Sequence, residues 1–372
     1  MNSRAWSSPS RYIQGPGEAE RLGEHIQNYG DRGFAVIDSF FYPTYSSRFS
    51  KMFAEKGMAF APFRYENEVT YALIDAAEAQ ARAFDANVVV GMGGGKALDT
   101  AKAVANRLRV PLVVIPTSAS TDAPTSAMSI YYNERHEKIG YEYFSKNPDL
   151  VLVDSQIIAD APPRFLAAGM GDALATVFEA RASQKTDSPN YVCTDTGTYQ
   201  GTDSAMLLAE GAYQILLRDG SAALQDNRRH QVTEALQRVI EANTLMSGIG
   251  FENIGCAAAH SIYNGLSCME GTKPMLHGEM VAFGVLCELF FEAAPQEQIE
   301  TVAAFLHSVG LPLTLAEMGF DNSAETISSI VRHTEQTEWT REPGVVTDET
   351  AAHAIAQADA YGQAFLSRVI VP

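Results

Sequence analysis

A strand-to-helix turn decides the fold: Val88-Val-Val-Gly91-Met-Gly93-Gly94-Gly95-Lys96-Ala97-Leu98-Asp99-Thr-Ala-Lys102. An apolar run ends in glycines, and a helical pattern follows at once. Glycine permits a tight turn and lets backbone N–H groups approach a diphosphate, which a helix N-terminus also favours. Lys96 adds a positive charge beside those phosphates. The spacing differs from the usual G-x-G-x-x-G, so a structural turn with close packing is the alternative to phosphate binding.

The first half of the chain alternates apolar runs with amphipathic segments. Strands are predicted at 33–38, 86–91, 111–116 and 150–154, and helices at 68–84 and 97–108. Continuous Val, Ile and Leu runs between helices are typical of a parallel sheet covered on both faces. Asp38 ends its strand and is a candidate ribose ligand, although such an acid usually follows the glycines rather than preceding them. A plain loop residue is the alternative.

The pattern changes at Ala161-Pro162-Pro163, where two prolines interrupt the chain. From Arg164 onward helical spacing dominates and strand patterns almost vanish. We therefore predict an α/β dinucleotide-binding domain with a parallel sheet over residues 1–163 and an all-helical domain over 164–372. A functional site is expected in the cleft between them.

Composition narrows the class of protein. The 372 residues carry a formal net charge of -18, which disfavours binding to nucleic acid or to an anionic membrane. No stretch approaches the roughly 20 apolar residues of a membrane helix, and the first residues lack the apolar segment of a secretory signal. The four cysteines share no CxxC spacing. A cytoplasmic protein without disulfides is expected, with Cys256 and Cys287 in the core and no role assigned to Cys193.

Three residues are candidate metal ligands. Asp172 follows Gly169 and Gly171 and is predicted at a helix start, where capping is the alternative role. His260 follows three alanines on a predicted helix, and His277 opens the next long helix; each alone is more often a core histidine. Together, one carboxylate and two imidazoles make a three-ligand site with an open position for water or substrate. No nucleophile elbow, P-loop or catalytic triad pattern competes with it.

A loop rich in hydroxyl groups follows the strand at 111–116. It reads Thr117-Ser-Ala-Ser120-Thr121-Asp122-Ala-Pro124-Thr-Ser126. Open α/β sheets bind ligands at the carboxyl ends of their strands, so this loop is expected to carry the substrate. A solvated loop is the alternative.

Four motifs resemble those of the glycerol dehydrogenases, within the iron-containing alcohol dehydrogenase and dehydroquinate synthase-like superfamily. In chain order they are 91–102, 120–124, 168–175, and 257–260 with 276–278. The similarity extends from Arg11 to Gln363. It implies a metal-dependent enzyme that uses NAD to oxidise glycerol or a related vicinal diol. It also implies a homo-oligomer, often an octamer.

The resemblance implies roles for particular residues as well. Asp172, His260 and His277 would hold a divalent metal, typically zinc, and Asp122 would contact the polyol substrate, which places these residues in catalysis. Cofactor contacts would come from Asp38, Gly94, Gly95, Lys96, Ala97, Leu98, Asp99, Thr117, Ser120, Ser126, Met128 and Tyr132.

Three residues depart from the family pattern. Thr176 stands where iron-dependent members have a histidine, which favours zinc. Ala97 replaces a common threonine beside the cofactor, and Tyr263 replaces a histidine of many glycerol dehydrogenases, which bears on the preferred polyol. The alternative functions are a hydroxycarboxylate or other polyol dehydrogenase, a dehydroquinate synthase-type lyase, and a non-catalytic nucleotide-binding protein. The lyase would need more basic residues near these motifs, and the last class has no need of the metal ligands.

Overall fold

The strands that the structure describes all lie in the first half of the chain. A computed structural model describes residues 3–66, 68–134, 137–192, 197–269, 275–334 and 336–369, and Cys193 lies outside these ranges. The strands are β1 (Tyr12–Gly15), β2 (Arg32–Asp38), β3 (Ala59–Tyr65), β4 (Val88–Gly93), β5 (Leu112–Pro116), β6 (Met128–Tyr132), β7 (Lys138–Tyr143) and β8 (Leu150–Asp154).

Six of these strands form one parallel sheet in the order β1-β8-β5-β4-β2-β3, while β6 and β7 form a separate antiparallel hairpin. The four central strands, β2, β4, β5 and β8, are almost wholly buried. The continuous apolar runs of these four strands allowed them to be predicted from the sequence. The edge strands β1 and β3 and the hairpin were missed, because their partly exposed residues mix polar and apolar types.

Helices surround the sheet and make up the second half of the chain. They are α1 (Leu22–His25), α2 (Tyr42–Glu55), α3 (Tyr71–Ala83), α4 (Gly95–Leu108), α5 (Ser155–Asp160), α6 (Pro163–Lys185), α7 (Asp203–Arg228), α8 (Glu234–Glu241), α9 (Ser247–Ile254), α10 (Ala258–Ser267), α11 (His277–Phe291), α12 (Gln296–Val309), α13 (Ala324–Arg332), α14 (Gln336–Trp339) and α15 (Asp348–Val369). A π-helical turn, Ala242–Met246, joins α8 to α9. The predicted fold class, a parallel-sheet domain followed by helices, is confirmed.

Both faces of the sheet are covered. Alternate residues of β2 point to opposite sides: Ala35 and Ile37 pack in a cluster with Phe49 and Phe53 of α2. The other face belongs to a larger cluster that continues into the helical half, and Cys287 lies in it. Because this cluster runs across residue 163, where α6 begins, the division into 1–163 and 164–372 stays a prediction. Among the described residues, no helix is both long enough and apolar enough to span a bilayer.

The predicted helix starts at Glu68 and Asp172 were wrong. The first helix, α3, begins at Tyr71. Asp172 lies well inside α6 rather than at its start. The neighbouring glycines suggested a break, but they serve close packing: a Cβ on Gly169 would lie 1.8 Å from the Ala119 carbonyl oxygen. Capping by Asp172 is therefore excluded.

Candidate active site

The carboxyl ends of β2, β4 and β5 form the edge that can receive a cofactor. Parallel pairing sets Ile37 opposite Met92, and Gly93 opposite Pro116. The chain leaves β2 toward β3 and leaves β4 toward β5, which lie on opposite sides. The adjacent ends of β2 and β4 therefore flank a topological switch point, where open α/β sheets bind their ligands.

The glycine turn fits tightly against this edge and leaves space in front of it. Gly93 has a φ of 156°, and a Cβ there would lie 2.9 Å from the Asp38 Cβ and 2.6 Å from that of Ala97. At Gly94, the N-cap of α4, an added Cβ would have no heavy atom within 4 Å. The first N–H groups of a helix have no partner within it. An anion at Gly94 would therefore meet free donors and the positive end of the helix.

The predicted cofactor residues that follow this turn have different surroundings. Lys96 extends outward, with its Nζ 2.5 Å from Glu68 Oε1 and 4.7 Å from the centre of the Tyr132 ring. Ala97 and Leu98 are almost wholly buried, so little of either residue is open to a cofactor. Sequence reasoning missed Glu68 as a neighbour of the turn because it lies on a separate segment between β3 and α3.

A buried lysine ties α4 to the loop after β5. Lys102 Nζ donates to Asp99 Oδ1 at 3.1 Å, to Ser126 Oγ at 3.2 Å and to the carbonyl oxygens of Ala123 at 2.6 Å and Met128 at 2.9 Å. Burial raises the pKa of Asp99, and the charge of Lys102 opposes this rise. Three predicted cofactor residues, Asp99, Ser126 and Met128, thus share one internal network. Lys102 had no predicted role, although its i,i+3 spacing from Asp99 on a helix was a usable signal.

The hydroxyl-rich loop joins the glycine turn to the helical half. The Thr117 N–H donates to the Gly93 carbonyl oxygen at 3.0 Å, and the Ser120 hydroxyl bonds that of Ser118 at 3.0 Å. Farther along, the Asp122 N–H donates to Asp172 Oδ2 at 3.2 Å. The predicted substrate loop therefore reaches one of the predicted metal ligands.

Three helices bring Asp172, His260 and His277 together. His277 Nε2 lies 3.0 Å from Asp172 Oδ1, and His260 Nε2 lies 3.4 Å from the same oxygen. One ligand atom from each residue lies within 4.8 Å of the other two. Burial alone would raise the pKa of Asp172, but the two imidazoles hold it below its ordinary value. Two nitrogens converging on an ionised carboxylate fit a divalent metal ion.

A buried glutamate orients one of the imidazoles. His260 Nδ1 lies 2.7 Å from Glu179 Oε2, so a proton on Nδ1 leaves the Nε2 lone pair facing Asp172. Glu179 Oε1 accepts the N–H groups of Ala257 at 2.8 Å and of His260 at 2.9 Å. Carboxylates that bond the far nitrogen of a ligating histidine fix its tautomer and orientation. Sequence reasoning missed Glu179, although it follows Asp172 by two turns on the same face of α6.

Two more buried acids hold the start of α10. Glu342 Oε1 accepts the N–H of Ala258 at 2.9 Å, and Glu288 Oε2 accepts that of Ala259 at 3.2 Å. Burial raises the pKa of Glu342 to about 8. Burial, followed by the charge of Glu342, also raises the pKa of Glu288. Together with Glu179, these acids engage all four N–H groups from residue 257 to residue 260, which fixes the helix that carries His260.

The Asp122 carboxylate is held by one hydroxyl group, which a second hydroxyl group supports. Ser247, the first residue of α9, donates to Asp122 Oδ2 at 2.9 Å and also bonds the Thr176 hydroxyl at 2.8 Å. The π-helical turn directly precedes Ser247, and such turns often occur at functional sites. Burial is the main cause that raises the pKa of Asp122, and the negative charge of Asp172 raises it further.

Tyr263 packs against the ligand cluster. Its ring centre lies 4.2 Å from that of His277, edge to face. Burial raises the pKa of Tyr263 to about 12, so its hydroxyl keeps a proton at neutral pH. Cys268, which follows on the same segment, is exposed.

Known proteins resemble this chain over nearly its whole length. The family model described as "Iron-containing alcohol dehydrogenase" matches residues 9–155. The chain is 42% identical to a glycerol dehydrogenase of Escherichia coli O6:H1 over 366 residues, which covers 98% of each chain. It is 43% identical to one of Thermotoga maritima, covering 95% of this chain and 96% of that one. The crystal structure of a probable glycerol dehydrogenase from Sinorhizobium meliloti 1021 superposes with a TM-score of 0.91 at 35% identity, covering 97% of this chain and 100% of that one.

Proposed function

Because the chain belongs to the iron-containing alcohol dehydrogenase family, an NAD-using and metal-dependent group, we propose that it oxidises glycerol, or a related vicinal diol, to the matching hydroxyketone. The observation that carries this proposal is the convergence of Asp172, His260 and His277 beside Asp122. With glycerol the product is dihydroxyacetone.

Zinc is the metal we propose for this site. A carboxylate with two imidazoles suits zinc and leaves a coordination position open. Thr176, at the position where iron-dependent relatives have a histidine, uses its hydroxyl on Ser247 instead. When bound, zinc supplies a Lewis acid that lowers the pKa of a hydroxyl group, and NAD supplies the hydride acceptor. The protein's part is to hold both beside the same substrate carbon.

Asp122 is the residue that we propose selects the substrate. Ser247 fixes one of its carboxylate oxygens, and its backbone is tied to Asp172. Its carboxylate can accept a hydrogen bond from a second substrate hydroxyl, which a simple primary alcohol lacks. The charge of Asp172, joined by that of Asp122 whenever Asp122 is ionised, repels a carboxylate or phosphate on the substrate, which disfavours 2-hydroxy acids and phosphorylated polyols.

We place the cofactor on the edge where β2 and β4 end. Gly94, Gly95 and Lys96 would receive its diphosphate, and Asp38 its adenosine ribose. The remaining proposed contacts are Ala97, Leu98 and Asp99 on α4 together with Thr117, Ser120, Ser126, Met128 and Tyr132 after β5. We further propose that the enzyme is a cytoplasmic homo-oligomer, with an octamer as the form that its family resemblance favours.

Steady-state kinetics on a substrate panel test the proposed function. We expect the highest kcat/KM on glycerol, 1,2-propanediol or 2,3-butanediol, well above 1-propanol, 2-hydroxy acids and glycerol phosphates. Asp122→Asn should lower the ratio of diol to 1-propanol by about tenfold or more, the loss expected for a hydrogen bond to a charged group. Asp203→Asn is the matched control, because that side chain is 76% exposed at the start of α7. A hydroxy acid or a phosphorylated polyol as the best substrate would contradict the proposal.

A further inference from the structure

Lys96 at the glycine turn already has a negative partner. Glu68, between β3 and α3, brings its Oε1 within 2.5 Å of Lys96 Nζ. The Glu68 side chain is only 9% exposed, whereas that of Lys96 is 46% exposed. The lysine that should meet the cofactor diphosphate is thus paired with a buried carboxylate.

Glu68 is fixed beside the turn. Its carbonyl oxygen accepts the N–H of Thr70 at 3.0 Å, and the next carbonyl, that of Val69, accepts the N–H of Tyr132 at 2.9 Å. The segment is therefore anchored to the start of α3 and to β6. A lysine, by contrast, is a point charge on a flexible stem and can turn toward a new partner.

A bound diphosphate would draw on the same ammonium group. A buried carboxylate is costly unless it is paired, so any shift of Lys96 away from Glu68 subtracts from the binding free energy. Differences of affinity between related complexes arise mostly in the dissociation rate. A competing acid at this point would therefore weaken cofactor binding and speed its release.

We propose that Glu68 competes with the cofactor diphosphate for Lys96 and so limits how tightly the enzyme holds NAD. The inference rests on the proposed diphosphate site at the glycine turn. It makes Glu68 a residue that sets cofactor affinity without touching the reacting atoms.

Equilibrium binding of ADP-ribose and of adenosine to the purified full chain tests this proposal. We expect Glu68→Gln to bind ADP-ribose about three- to tenfold more tightly than wild type, since a partly buried ion pair is lost as a competitor. Adenosine, which has no phosphate, should bind both proteins equally. Glu66→Gln is the matched control: it removes an acid from the same segment, but that side chain is 52% exposed and pairs with Arg64. Its ADP-ribose affinity should equal that of wild type.

A double-mutant cycle separates the possible outcomes. Lys96→Met should weaken ADP-ribose binding, and adding Glu68→Gln to it should produce no tightening. Unchanged or weaker ADP-ribose binding by Glu68→Gln overturns the inference. The inference is also overturned if Glu68→Gln tightens ADP-ribose binding as much in the Lys96→Met protein as in wild type, because Glu68 would then repel the diphosphate directly. If Lys96→Met binds ADP-ribose like wild type, the proposed diphosphate site itself is wrong. Should Glu68→Gln not fold, Glu68→Asp, which withdraws the carboxylate by one methylene, should also tighten binding.

Discussion

Asp38 and Gly93 illustrate how single residues shape the cofactor edge. Gly93 can adopt its φ of 156° because glycine has no side chain. A Cβ added at this position would lie only 2.9 Å from the Asp38 Cβ. The acid therefore stands directly beside the turn. One of its oxygens, Oδ1, accepts the N–H of Phe40 at 3.0 Å, which holds the carboxylate at the end of β2.

This placement predicts a preference for NAD over NADP. A 2′-phosphate on the ribose would face the Asp38 carboxylate and be repelled. The ratio of kcat/KM with NAD to that with NADP should fall by about tenfold or more in Asp38→Gly, equivalent to roughly 1.4 kcal/mol. Asp85 is an exposed acid just before β4, at the end of the strands opposite to Asp38. Asp85→Gly should therefore leave the ratio unchanged. Equal use of both cofactors by the wild type would rule out this role for Asp38.

Buried acids fix the helix α10, which carries the proposed metal ligand His260. The first N–H groups of α10 donate to the carboxylates of Glu179, Glu288 and Glu342. Glu179 also bonds the side chain of His260, which lies on α10. A helix whose first N–H groups are all satisfied by buried partners cannot shift without breaking several hydrogen bonds. The position of His260 therefore depends on acids outside the proposed ligand set.

Glu179→Gln should weaken metal binding without removing a ligand. Loss of a carboxylate behind a ligating imidazole typically costs about 10- to 100-fold in metal affinity. The dissociation constant for zinc, measured by competition with a chelator, should rise by that factor. Glu210→Gln on α7, whose acid pairs with Arg181, is the control. A zinc affinity within about twofold of wild type in Glu179→Gln would mean that Glu179 does not support His260.

The sequence predicted the parts of this site that have a local signal. The glycine turn and the two histidines in apolar helices could be found because their residue types are unusual in such settings. Asp172 was found, but its position in α6 was misread, because nothing local shows that Gly169 packs against Ala119. The roles of Glu288 and Glu342 could not be predicted, since those acids reach α10 from distant parts of the chain.

At the scale of the whole molecule, buried polar residues connect the two halves. Glu252 on α9 accepts the N–H of Ala127 at 2.8 Å and the side-chain amide of Asn147 at 2.5 Å, both from the α/β half. Burial raises the pKa of Glu252 from its ordinary 4.5 to about 7. A raised pKa means that the folded state favours the protonated form.

The contribution of Glu252 to the free energy of unfolding should therefore fall as the pH rises. The contribution of Glu252 is complete below pH 4.5 and is lost as the pH rises from there through about 7. A shift of this size corresponds to at most about 3 to 4 kcal/mol. The free energy of unfolding, measured with a chemical denaturant, should fall less between pH 5 and pH 8 in Glu252→Gln than in wild type. Glu234→Gln, an exposed acid on α8, should behave like wild type. An identical loss in Glu252→Gln would show that this group does not link the halves in a pH-dependent way.

The most direct test of a single catalytic metal site is to strip the enzyme with a chelator and titrate zinc back while following glycerol-dependent reduction of NAD. Turnover should vanish on stripping and return in proportion to added zinc, with an endpoint at about one ion per chain. His277→Ala should neither bind that ion nor regain turnover. His333 is exposed, so His333→Ala should bind the ion and regain turnover like wild type. Full turnover by the stripped enzyme, or a full equivalent of zinc bound by His277→Ala, would contradict the account.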